Sequence, residues 1–208
     1  MGPEKIAFEW AGLQLLEPMA ILLNFAMAVL SGYFAWRLHG GTTYQRAWGY
    51  FFLAFALGAV AGAVGHGMYG YWGIPGKMPG WFIALLAIYF LEQAQLLAVE
   101  SKPWALWLNR ISSAKLIVLA LAVAWKPSFG WVIVQTATGL LPGLLLFGWA
   151  YRGQRPANKR FWQAFVLMIP ALLLVAFKVD PHLWMNRDDV SHLLMLGTLA
   201  LCYQGVRE

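Results

Sequence analysis

Four side chains in this chain could do chemistry together: Glu17, His66, Asp188 and His192. Imidazole nitrogens and carboxylate oxygens are donors that zinc accepts, and a catalytic zinc keeps one position open for water. Two histidines and one carboxylate satisfy that pattern. Zinc so held lowers the pKa of its water toward neutrality and polarises a scissile carbonyl, while a spare carboxylate serves as general base. Asp188 and His192 are spaced i, i+4 and point the same way on a helix. The expected metal set is therefore His66, Asp188 and His192, with Glu17 or Asp189 orienting or deprotonating the water. Asp189, at i, i+3 from His192, competes with Asp188 as ligand, and His182 joins as a fourth ligand if its loop folds inward. A plainer explanation stands beside this one. His66 near a helix C-terminus is favoured by the helix dipole, and Asp188 with Asp189 can cap the last helix.

The elements that must bring these residues together are set by composition. Of 208 residues, 61% are hydrophobic and 12% are charged, against about a quarter charged in an ordinary soluble chain. That composition calls for an integral membrane protein, and the apolar runs are continuous where a barrel strand would alternate. Twelve Trp and eight Tyr suit the headgroup level of a bilayer. The net charge of +6 comes from basic residues scattered through short loops, with no patch or motif for nucleic acid. Cys202 is the single cysteine, so no intrachain disulfide can form. The N-terminus lacks a basic n-region and a small-residue cleavage site, so the first apolar segment is expected to be retained.

A bilayer core of about 30 Å needs about 20 apolar residues per helix, and seven runs qualify. They are Pro18 to Trp36, Trp48 to Tyr69, Pro79 to Ala98, Ile111 to Trp125, Phe129 to Tyr151, Arg160 to Phe177 and Val190 to Val206. The fourth is interrupted by Arg110 and Lys115 and can begin near Pro103 if those side chains snorkel. The fold expected is an all-α, seven-helix transmembrane bundle over residues 1–208, a single domain without a linker. Basic residues mark the cytoplasmic side. Loops one, three and five with the C-terminus carry nine (Arg37, Arg46, Lys102, Arg110, Arg152, Arg155, Lys159, Arg160 and Arg207); the opposite side carries five (Lys5, Lys77, Lys126, Lys178 and Arg187). With Lys115 set aside as intramembrane, this bias puts the N-terminus outside and the C-terminus in the cytoplasm. A bacterial inner membrane is the expected location. Glu17, His66, Asp188 and His192 then share the outer end, and His39 lies on the other side as a surface residue.

Other polar residues have simpler readings. His192 and Asn24 lie one to two turns below the interface, where an unpaired polar group is costly. Glu92, deep in the third run, either faces the interior with Gln93 or Gln95 or meets Lys115; an internal ion pair is favoured over a proton path. Gln135, Thr136 and Thr138 are interhelical hydrogen-bonding residues. The seventh run has no lysine for a Schiff base, which removes a retinal protein.

In the order of these features the chain resembles the superfamily of alkaline ceramidases and progestin/adiponectin-receptor proteins, seven-helix membrane hydrolases or hydrolase-like receptors. The residues that carry the resemblance are Glu17-Pro18 with Asn24, the glycine-rich second helix ending Gly62-x-x-x-His66, and Asp188-x-x-x-His192. It implies zinc held by His66, Asp188 and His192. The family's serine is replaced by Gly62 and its first helix-seven histidine by Asp188. In an alternative register His192 is the first ligand and Leu196 the second, which disables the site. The function expected is zinc-dependent hydrolysis of a lipid amide or ester reached from the outer leaflet. The alternative is a non-catalytic subunit or lipid-binding, receptor-like protein of a larger membrane complex. A transporter would need paired midplane discontinuities, which Pro142 and Pro170 do not make.

Overall fold

The structure, a computed structural model, describes residues 6–98, 103–150, 153, 157–182 and 184–208. Lys5, Lys102, Arg152 and Arg155, counted above in the charge bias, and Tyr151, the expected end of the fifth helix, lie outside the described residues.

The chain opens with an element that sequence reasoning missed. Strands β1 (Ala7–Trp10) and β2 (Leu13–Leu16) form an antiparallel hairpin, with Ala7 opposite Leu16 and Trp10 opposite Leu13. Ala11 and Gly12 make the turn at φ 51° and 78°, the pair of positive angles that matches the twist of a two-residue hairpin. This short hairpin aside, the fold is all-α as expected.

Seven helices follow among the described residues: α1 (Pro18–Leu38), α2 (Thr43–Gly67), α3 (Tyr69–Leu97), α4 (Ala105–Trp125), α5 (Gly130–Ala150), α6 (Ala157–Ala176) and α7 (Arg187–Arg207). Their starts have local causes. Pro18 occupies the first turn of α1, where its missing N–H is no loss. Thr42 with Gln45, and Asn186 with Asp189, form reciprocal capping boxes on α2 and α7. Within α3 the chain breaks at Gly73 (φ 58°, ψ −142°), next to Pro75, so a short turn precedes the long arm. The fourth helix starts near Pro103, as the snorkelling alternative expected, and α6 and α7 each begin three residues before the expected starts.

The helices pack as a ring in the order α1, α2, α3, α5, α6, α7, closed by α1 against α7, while α4 lies outside on α3 and α5. Aromatic rings fill the core: Trp48, Phe52, Phe147 and Phe161 are fully buried, and Phe34 stacks on Tyr203 at 4.1 Å. The α3–α5 seam is polar. Glu92 pairs with Lys115 of α4 and accepts from Ser112, Lys115 also reaches Thr138, and Gln95 and Gln135 donate to Gly139 and Leu85 carbonyls. Of the two alternatives for Glu92, the partner is Lys115. Gly139 and Gly143 on α5 leave the room that the Glu92 and Gln95 side chains take.

Among the described residues, α1 through α6 are each long and apolar enough to cross a membrane. The protein is thus a helical membrane protein. α7, which carries Arg187, Asp188, Asp189, His192 and Gln204, is the more polar helix. Exposed aromatic side chains gather at the two ends of the bundle. Tyr71, Trp72, Trp125, Phe177 and Trp184 mark one, and Trp36, Trp107 and Trp149 mark the other, the girdles that a bilayer's two interfaces favour.

Candidate functional site

The end of the bundle that holds the hairpin also holds the candidate residues. Glu17 is the hinge between β2 and α1, and its backbone is left-handed (φ 56°, ψ 60°). For a residue with a Cβ, that conformation costs about 1–3 kcal/mol and persists only where surroundings impose it. Here the hairpin imposes it from one side, through the Glu17 N–H to Ile6 carbonyl bond of 2.9 Å. The carboxylate holds it from the other. Glu17 Oε2 is 2.7 Å from His66 Nδ1 and 3.4 Å from Lys77 Nζ, and Lys77 Nζ is 3.2 Å from the same ring nitrogen. All three side chains are more than four-fifths buried.

The donor roles follow from chemistry. An ionised carboxylate can only accept, so in this pair Nδ1 carries the proton and donates it to Glu17, and the Lys77 ammonium, itself only a donor, then bonds to the carboxylate and not to the ring. In the neutral ring, Nε2 then keeps its lone pair. Lys77 brings a positive charge to the same carboxylate, with its ammonium 4.9 Å from the Tyr69 ring centre. Lys77 was counted above only as a loop charge. Its position depends on close packing of α2 and α3, because a Cβ on Gly65 would lie 2.7 Å from the Gly76 carbonyl oxygen and 3.0 Å from Lys77 Cα.

α7 supplies the other half. The His192 ring stands edge-on to His66, with centres 6.4 Å apart. Among the described residues, its buried Nδ1 has no hydrogen-bond partner, and neither does Asp189 Oδ1. Asp189 is itself buried. Its other oxygen accepts from the Asn186 N–H in the capping box. Asp188 is half-buried, and its N–H is taken by Asn186 Oδ1. Between the two aspartates, the one buried beside the histidines is Asp189. Glu17, His66 and His192 thus converge as expected. His182 stays in an exposed loop, its Nδ1 accepting from the Trp184 N–H, and His39 is exposed at the end of α1.

Gly62 leaves its space to Asn24. A Cβ on Gly62 would meet Asn24 Oδ1 at 2.9 Å, and Asn24, buried, is fixed by donating Nδ2 to the Ala20 carbonyl. The carboxamide occupies the space in which a serine side chain would begin.

The donor types suit zinc, but their arrangement does not. Among the described residues, no group of three or more His, Cys, Asp and Glu is disposed to hold a metal ion. Rings sharing one tetrahedral zinc have centres about 5 Å apart, given nitrogen–zinc distances of about 2.0–2.1 Å; His66 and His192 are wider. The Lys77 ammonium already supplies a cation at the cluster.

Apolar helices closed at one end by buried charges define a helical integral membrane protein with a polar site in its wall. The chain belongs to a family of unknown function (DUF6962), whose profile matches residues 19–208. His66, Lys77, Asp189 and His192 lie inside that match, and Glu17 and the hairpin precede it. No curated protein and no solved structure matches the chain.

Proposed function

We propose that the chain is a seven-span membrane protein, with the hairpin end facing outward and the C-terminus cytoplasmic, that uses the Glu17–His66 pair for acid–base chemistry on a membrane lipid. Hydrolysis of a lipid amide or ester is the reaction that such a pair suits. The observation that carries this reading is the 2.7 Å contact from Glu17 to His66 Nδ1 in a buried cluster at the end of the bundle. Glu17 holds the ring in one tautomer and turns Nε2 into a base for water. Lys77 is the cation able to offset negative charge developing on the carbonyl oxygen. Asp189 Oδ1 and His192 Nδ1, both without a partner among the described residues, could take hydrogen bonds from water or from the lipid's polar group. The nine-to-five bias of basic residues supports the orientation.

Lipid mass spectrometry on proteoliposomes made from a mixed membrane extract tests the reaction. The wild type should release a fatty acid and its complementary product, and His66→Ala should lower that release by about 10²-fold or more. Unchanged lipids with the wild type would remove the hydrolase and favour the non-catalytic, lipid-binding alternative.

A zinc-dependent form of the same hydrolysis is a second reading, favoured by the two unpartnered buried atoms on α7. It requires His66 and His192 to close toward each other. Elemental analysis decides: zinc near one per chain, lost in the His66→Ala, His192→Ala double variant, would support it, and its absence from the wild type would remove it.

A further inference from the structure

The hairpin is two-faced, and its faces differ in chemistry. Side chains alternate along each strand, so the pairs Phe8 with Leu15 and Trp10 with Leu13 share one face, while Glu9 with Gln14 shares the other alongside Ala7 with Leu16. The base of the hairpin is docked: Leu15 reaches Gly67, Leu16 reaches Gly70, and the Gln14 N–H donates to Tyr71 Oη at 3.0 Å. The outer half is not, and Trp10 is 67% exposed with Leu13 at 39%. A bare tryptophan on a tip of four-residue strands needs something to cover it.

Its place in the fold says what that is. Tyr71, to which the hairpin is bonded, and Trp72, beside it on the same corner, are exposed members of the aromatic girdle at this end. Trp10 and Leu13 add two exposed apolar side chains next to the strand residue that is bonded to that girdle. The helices on which β2 packs, α2 and α3, are each long and apolar enough to cross a membrane. Indole settles at the headgroup level, with its ring body toward the acyl chains and its N–H in water.

We infer that the Trp10–Leu13 tip is a bilayer anchor, seated at the boundary between headgroups and acyl chains of the leaflet at this end. Because Leu16 leads directly into Glu17, lipid contact at the tip fixes the hinge from which the Glu17 carboxylate reaches His66. The anchor stands whether or not the cluster hydrolyses a lipid.

The test uses the full chain in phosphatidylcholine vesicles with Cys202→Ala as background. Trp10→Cys, Leu13→Cys and Glu9→Cys are each labelled with an environment-sensitive fluorophore, and quenching is read from lipids brominated near the top of the acyl chain and from aqueous iodide. Positions 10 and 13 should be quenched at least about twofold more by bromolipid than position 9, with the reverse order for iodide. Circular dichroism checks that each variant is helical, and either of positions 10 and 13 carries the test if the other fails to fold. Iodide quenching at both positions equal to that at position 9, without bromolipid quenching, would overturn the anchor.

Discussion

Glu17 and His66 are 49 residues apart in the chain, and their side chains meet at 2.7 Å, joining the hairpin hinge to the far end of α2. The same carboxylate also faces Lys77. Removing it takes away the acceptor that the Lys77 ammonium and the His66 N–H share in a mostly buried place. Glu17→Ala should therefore lower stability by about 1–3 kcal/mol, read as a fall in the unfolding midpoint in detergent. Glu17→Gly loses the same carboxylate but relieves the left-handed backbone, so it should recover up to about 1 kcal/mol of that loss. A glycine variant less stable than the alanine variant would show that the hinge is not strained.

The space beside Gly62 gives a second prediction. In Gly62→Ser the new Cβ would run into Asn24 Oδ1. The single substitution should destabilise by about 1–3 kcal/mol, and Asn24→Ala in the same chain should remove most of that cost. Thermal unfolding of the two single variants and the double variant measures the coupling. Additive losses would mean that the two residues do not share the space.

Gln95 enters the room left by Gly143 on α5, so Gly143→Ala should be poorly tolerated. A coincident Gln95→Ala should restore stability to within about 1 kcal/mol of Gln95→Ala alone. Folded yield and unfolding midpoint in detergent report it. Equal damage from Gly143→Ala with and without Gln95 would contradict the packing.

Lys115 and Glu92 make an ion pair that ties the outlying α4 to the ring. Lys115→Met leaves a carboxylate uncompensated inside the bundle, so it should cost more than the Lys115→Met, Glu92→Leu double variant, which buries no charge. Protease susceptibility of the flanking segments and the detergent unfolding midpoint read the order. A double variant worse than the lysine variant would show that the pair adds net stability.

Helices α1 through α6 were legible because each is an apolar run long enough to cross a membrane. The hairpin was not. Its strands have four residues, and its turn is Ala11-Gly12, without the asparagine or aspartate that marks such turns in sequence. Lys77 was missed for a related reason. Pro75 and Gly76 read as a loop ahead of a helix starting at Pro79, whereas the helical arm after Gly73 runs through all of them and carries the lysine to Glu17. The convergence of His66 and His192 followed from alternating helix direction alone. The competition between Asp188 and Asp189 could not be resolved from spacing, since both lie within one turn of His192. The structure separates the two by burial: Asp189 is buried, with one oxygen completing the cap of α7, and Asp188 is half-buried.

The central claim is that Glu17 and His66 act as one unit. Its most direct measurement is the rate of product release from proteoliposomes by the wild type, Glu17→Gln, His66→Ala and the double variant, each with helix content verified. Each single variant should fall by about 10²-fold or more, with the double variant no lower than the worse single, because groups that work through each other do not add. Rates that stay at wild-type level in Glu17→Gln, or fall multiplicatively in the double variant, would contradict it.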